Sequence, residues 1–160
     1  MLISGVVSFA ILMGFAQNQP TNSAQETLDF MRSPNGTGVV HRVQILTAAS
    51  FGMIGVSNEL VRVSNDNTLS TPIRQSASAA LVAYDSSATN SYQEIEAFLT
   101  AWPFREKKTP PMTTDTIAVM KRTLEIGSSA FAQLRNYQSD TNLPALYRED
   151  IGKAISEILN

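Results

Sequence analysis

The stretch LTAASFGMIGVSNELVRV, residues 46–63, decides the fold. Leu46, Ala49, Met53, Val56, Leu60 and Val63 recur at spacings of 3, 4, 3, 4 and 3, which puts them on one stripe of an α-helix. A half-buried strand would alternate with period two, and no segment of the chain alternates convincingly. The stripe is that of an antiparallel bundle helix running from about Val40 to Ser64, with Asn65-Asp66-Asn67 as the loop that follows.

The same periodicity extends in both directions. Upstream, Ser23-Ala24-Gln25-Glu26 has the form of a capping box and opens a short helix with Leu28 and Met31 inward. Ser33-Pro34-Asn35-Gly36 stops that helix with strong turn chemistry. Downstream, Thr71 caps a third helix and Pro72 suits its first position. Ile73, Ala77, Leu81, Tyr84, Ala88, Tyr92, Ile95, Leu99 and Trp102 keep helical spacing up to Pro103, with a bend expected within Ser86–Ser91, where helix formers are poor. PFREKKTPPM is a loop, because its prolines and mixed charges forbid a regular element. A fourth helix begins near Thr113–Asp115 and carries Ile117, Met120, Leu124, Gly127, Phe131, Leu134 and Gln138 inward. After the turn Asp140-Thr141-Asn142, a last helix starts at Pro144 and presents Tyr147, Ile151, Ala154 or Ile155, and Ile158. The expected fold is all-α, an antiparallel four- to five-helix bundle occupying residues 17–160 as a single domain.

Residues 1–16, MLISGVVSFAILMGFA, carry no charged side chain. They are short for a transmembrane helix of about 20 residues and match the apolar region of a signal peptide. Gly14 and Ala16 are the small residues a cleavage site needs, although no Lys or Arg precedes the apolar run. A buried N-terminal helix and a retained anchor are the competing readings. The expectation is an export signal and a secreted or cell-wall protein without a transmembrane span.

Twelve Lys and Arg against fourteen Asp and Glu give a net charge of −2, so nothing favours a nucleic-acid partner. Cysteine is absent, which excludes disulfides, thiol catalysis and Cys-ligated metals. His41 is the one histidine, too few for a His-based metal site, and it is expected near a helix start as a cap or in solvent. No nucleophile elbow accompanies it, and no glycine loop cradles a phosphate. Glu94 and Glu96, two apart on a helix, face different ways. No enzymatic activity, cofactor or metal is expected. Asn35-Gly36-Thr37 is a glycosylation acceptor pattern as well as a turn.

Gly52, Gly55 and Gly127 fall inside helices, where each costs about 1 kcal/mol relative to Ala. Close helix packing accounts for such glycines. The sharper reading is that missing side chains leave room for an apolar guest. The residues expected to line that room are Met53, Leu60, Leu81, Tyr84, Met120, Leu124, Phe131 and Leu134.

LSTPIRQSASAALVAYDSSATNSY, then MTTDTIAVMKRTLEIGSSAFAQLRNY, then NLPALYREDIGKAISEIL resembles the fungal hydrophobic surface binding protein A family, or cell wall galactomannoproteins. The resemblance covers about Leu69 to Leu159, and more loosely Val43 to Val63. It includes a helix rich in Ala, Ser and Thr, and an entry to the last helix through Leu143-Pro144-Ala145-Leu146 with Asp150 soon after. The proline-rich Trp102–Pro111 loop, Gly52 and Gly55 depart from the family's pattern. The resemblance implies secretion, adsorption to hydrophobic surfaces and, in some members, a lipid or fatty acid between the helices. It brings no catalytic residues. Arg74, Arg135 or Arg148 would then meet a lipid carboxylate. The alternative is a structural or assembly protein, a cell-wall component or shell subunit, with a filled core. An inhibitor-like bundle is a weaker third reading, because such bundles are usually stapled by cysteines.

Overall fold

Small polar side chains mark several of the points where these helices start and stop. In the computed structural model, which describes residues 22–102 and 111–160, six α-helices and no strand occur among the described residues. They are α1 (Asn22–Arg32), α2 (Pro34–Asn65), α3 (Thr71–Ala83), α4 (Tyr92–Thr100), α5 (Thr114–Ser139) and α6 (Ala145–Leu159). The expected all-α bundle is present. The expected signal segment 1–16 and the loop over 103–110 lie outside the described residues.

Several boundaries differ from the sequence reading: Ser70, not Thr71, is the N-cap of α3, Ser23 lies inside α1, and two corners change further. Pro-Asn-Gly is no turn: α1 ends at Arg32, Ser33 alone forms the corner, and Pro34 is the first residue of α2. The Ser33 hydroxyl accepts from the Gly36 N–H at 3.0 Å, so Ser33 acts as the N-cap. A Cβ on Gly36 would collide with the Phe30 carbonyl, and that close approach leaves room only for glycine. Asn35 therefore sits exposed in the first turn of a helix. His41 is exposed inside α2 rather than beside its start.

The second difference is larger. The expected long third helix is two helices, α3 and α4, separated by residues 84–91, which makes six helices instead of four or five. The Asp85 carboxylate accepts from the Ser87 N–H at 2.9 Å, a local turn that competes with helix. Ser91 then caps α4 through a full capping box: its hydroxyl accepts from the Glu94 N–H, while the Glu94 carboxylate accepts from the Ser91 N–H at 2.7 Å. Helix α5 pins the loop between these two points. Ser129 accepts from the buried Asn90 N–H at 2.8 Å, Arg122 donates to Asn90 Oδ1 at 2.9 Å, and Ser128 donates to the Ser86 carbonyl at 3.0 Å.

The Asp-x-polar turn recurs after other helices. Asp66 accepts from the Thr68 N–H and Asp140 from the Asn142 N–H, both at 2.9 Å. The chain divides into two compact units, one made of residues up to Ala48 with Phe131–Asn160, the other of Ala49–Ala130. In the first, α1 packs against α6, and the Phe30 ring lies 5.3 Å from that of Tyr147 at an interplanar angle of 49°. Tyr147, Ile151, Ala154, Ile155 and Ile158 form the buried face of α6, as their spacing predicts. In the second, Val56, Leu60 and Val63 of α2 join Ala77 and Ala80 of α3 and Ile117, Met120 and Leu124 of α5 in one apolar cluster.

Two predictions follow from these turns. Ser129→Ala removes the acceptor of a buried backbone N–H and should cost about 1–3 kcal/mol in urea unfolding, against a few tenths for the more exposed Ser128→Ala. Equal costs would show that the buried bond does not hold the loop. The second concerns acid. The Thr68 and Ser87 hydroxyls, then the N–H groups of the same residues, hold the Asp66 and Asp85 carboxyls below their ordinary value of 3.8. The Ser91 N–H holds Glu94 below 4.5. Folded values below unfolded ones mean stability that is complete above the unfolded values and is lost as pH falls through the folded ones. The unfolding temperature should be level above about pH 5 and drop below about pH 4; a level curve to about pH 2 would contradict the assignment.

Candidate functional site

Six of the eight expected lining residues come together. Met53, Leu60, Leu81, Tyr84, Met120 and Leu124 all belong to the apolar cluster of the Ala49–Ala130 unit. Leu60, Met120 and Leu124 are at most 2% exposed. Phe131 and Leu134 fall in the other unit, where Leu134 is fully buried and Phe131 lies under the Arg135 guanidinium, 5.1 Å from its ring centroid.

The interior glycines sort into two kinds. A Cβ on Gly127 would collide with the Met53 Cβ and lie 2.8 Å from the Ala49 carbonyl oxygen. A Cβ on Gly52 would lie 2.9 Å from Cη2 of the Trp102 indole. Both spaces are therefore filled by the protein's own side chains. Gly55 differs, since a Cβ there meets nothing within 4 Å.

Two surface depressions occur in the first unit, and neither is lined by the expected residues. One, of about 570 Å³, is bordered by Gln138, Glu149, Gly152, Lys153, Ser156 and Glu157. The other, of about 350 Å³, is bordered by Gln133, Asn136, Tyr137 and Asp140. Both are open to solvent and bordered mainly by polar residues. In the first, Lys153 is engaged by Glu149 at 3.3 Å and Asp150 at 3.2 Å, which raises its pKa. The arginines considered for a carboxylate have local partners. Arg74 donates to Asn67 at 3.0 Å, and Arg148 donates to the Leu143 carbonyl at 3.2 Å. Among the described residues no group of three or more His, Cys, Asp or Glu is placed to hold a metal ion.

The feature that sequence periodicity missed is on the outside of α2. Phe51, Ile54 and Val61 are 41%, 37% and 48% exposed, on the face opposite Val56, Leu60 and Val63. This helix is long and apolar enough to cross a membrane by length and composition, yet only 28% of its most apolar window is buried. The charges beside its C-terminal end are neutralised locally: Arg62 grips both oxygens of Glu59, at 2.7 and 2.8 Å, and reaches Asp66 at 3.3 Å. The Arg62 bond holds the Glu59 carboxyl below its ordinary range. The signal was available in the sequence, because Phe51, Ile54 and Val61 are themselves spaced 3 and 7 apart, a second apolar stripe on one helix.

The two kinds of glycine give a paired prediction. Gly127→Ala overpacks against Met53 and the α2 backbone and should destabilise by about 1–3 kcal/mol. Gly55→Ala adds a methyl in open space and should stabilise by up to about 1 kcal/mol. Chemical denaturation of both variants checks this, and an equal effect at the two sites would contradict it. Comparison of the chain with protein-family models, with curated proteins and with solved structures finds no match.

Proposed function

We propose that this chain is a secreted, non-enzymatic binding protein that adsorbs to hydrophobic surfaces through the outward stripe of α2. The observation that carries the reading is the exposed set Phe51, Ile54 and Val61 on a helix whose other face is packed into a core. A stripe of this kind is held rigidly by the helix and needs no rearrangement to meet a flat apolar surface. With Arg62 already paired to Glu59, the attraction is apolar rather than ionic. Export is supported by the uncharged segment ending at Ala16 and by a surface that uses few charges, 16% of the chain.

Holding a lipid between the helices is the weaker form of this reading, because the spaces left by Gly52 and Gly127 are occupied by Trp102 and Met53. The same filled spaces favour the alternative of a structural or assembly protein, in which a second copy would cover the α2 stripe.

The test is retention on octyl-coated beads at low and high salt. Each half-exposed side chain contributes about 1 kcal/mol on transfer, so replacing Phe51, Ile54 and Val61 with Gln should weaken retention on the order of 100-fold. Circular dichroism should stay unchanged, and salt should not weaken the wild type. Retention unaffected by the triple substitution would refute the surface reading. A concentration-dependent dimer that the substitutions dissociate would favour assembly.

A further inference from the structure

We propose that the contact between α1 and α6 is exchangeable between two copies of this chain. In the exchanged form α1 and α2 run on as one helix, and each α1 packs on the α6 of a second copy. Pro34 and Gly36 hold the chain in the bent form, in which α1 packs on its own α6. The outward stripe of α2 takes no part, so the exchange stands or falls separately from surface adsorption.

The corner between α1 and α2 is a single residue, Ser33. Hydrogen bonds of helical spacing already cross it. The Ser33 N–H donates to the Asp29 carbonyl at 3.1 Å, and the Thr37 N–H donates to the Ser33 carbonyl at 2.9 Å. What breaks the helix is local. In a continuous helix the Phe30 carbonyl would accept from the N–H of residue 34, and Pro34 has none. The proline ring would also press against that carbonyl. The Phe30 carbonyl accepts instead from the Ser33 N–H at 3.1 Å and from the Ser33 hydroxyl at 2.7 Å. The chain bends over it so tightly that Gly36 has no room for a Cβ. The bend therefore depends on Ser33, Pro34 and Gly36.

In the bent form α1 packs on α6 of its own chain, with the Phe30 ring beside Tyr147 and Thr27 fully buried. Nothing in that contact requires the two helices to belong to one chain. Straightening the corner carries α1 away from its own α6 and uncovers Phe30 and Tyr147. The surface that matches each is the same surface on a second copy. Two copies that exchange α1 restore both contacts in a closed, two-fold dimer, and no new interface is needed. Short connections held under constraint are the ones that exchange in this way. With 11 residues α1 is too short to persist as an isolated helix, so it docks on one copy or the other.

The experiment runs the full chain through size-exclusion chromatography with light scattering over a range of concentrations. A proline in a helix interior disfavours the helix by roughly two orders of magnitude, so Pro34→Ala should strengthen dimerisation at least about 100-fold over the wild type. Helical circular dichroism should be kept. Gly36→Ala should shift the balance the same way, because its methyl strikes the Phe30 carbonyl in the bent form. A Gly-Gly-Ser insertion after Ser33 should return the Pro34→Ala chain to a monomer, since a flexible link lets α1 reach its own α6. In dimers of isotope-labelled and unlabelled Pro34→Ala chains, filtered NMR should place the Phe30 and Tyr147 rings in contact between chains. A Pro34→Ala chain that dimerises no more than the wild type would overturn the proposal. So would a dimer in which the Phe30–Tyr147 contact stays within one chain, or one that Phe51→Gln, Ile54→Gln and Val61→Gln together dissociate. Pro34 is exposed, so Pro34→Ala decides the matter even if Gly36→Ala fails to fold.

Discussion

The approach of α5 to α2 at Gly127 is the contact on which the packing of the Ala49–Ala130 unit depends. At Gly127 α5 comes so near α2 that even a methyl group would strike Met53 and the Ala49 carbonyl. Two helices can meet this closely only where one lacks a side chain. The approach brings Met120 and Leu124 of α5 onto Val56 and Leu60 of α2, and α3 closes over them with Ala77 and Ala80. Small residues on α3 serve the same purpose, since alanine adds apolar contact without holding the helix away.

Once that core is set, polar chemistry is left to the corners. Ser128, Ser129 and Arg122 lie along α5 at positions that reach the loop between α3 and α4, and together they take up a carbonyl, a buried N–H and a buried amide. A buried N–H without an acceptor is costly, so the serines hold the loop to one path. The result is a corner where a continuous helix would otherwise run. The aspartate turns after α2, α3 and α5 are the cheaper, solvent-facing version of the same device.

Helix α2 joins this interior to the proposed function. It is apolar on more than one face, and a soluble helix of that kind must be covered on both sides or meet something apolar outside. Its inward residues are covered by the protein. Its outward residues, Phe51, Ile54 and Val61, are not. Beside them Arg62 is paired with Glu59, so the proposed attraction is apolar rather than ionic.

The sequence by itself determined the helices, because period 3.6 is a property of local geometry and survives in any packing. The stripes from Leu46 to Val63, from Ile117 to Leu134 and from Tyr147 to Ile158 were legible for that reason. The break at residues 84–91 was legible too, in Ser91-Tyr92-Gln93-Glu94, a capping-box pattern that continuing periodicity from Tyr84 to Tyr92 concealed. What only the tertiary structure decided is which apolar residues face each other. Periodicity is silent on partners, so Phe131 and Leu134 read as neighbours of Met120 and Leu124 although they pack in the other unit. It is equally silent on whether a glycine leaves space or has it filled. Gly52, Gly55 and Gly127 look alike in the sequence; an indole, open solvent and a methionine distinguish them, and each comes from how the chain folds around the site.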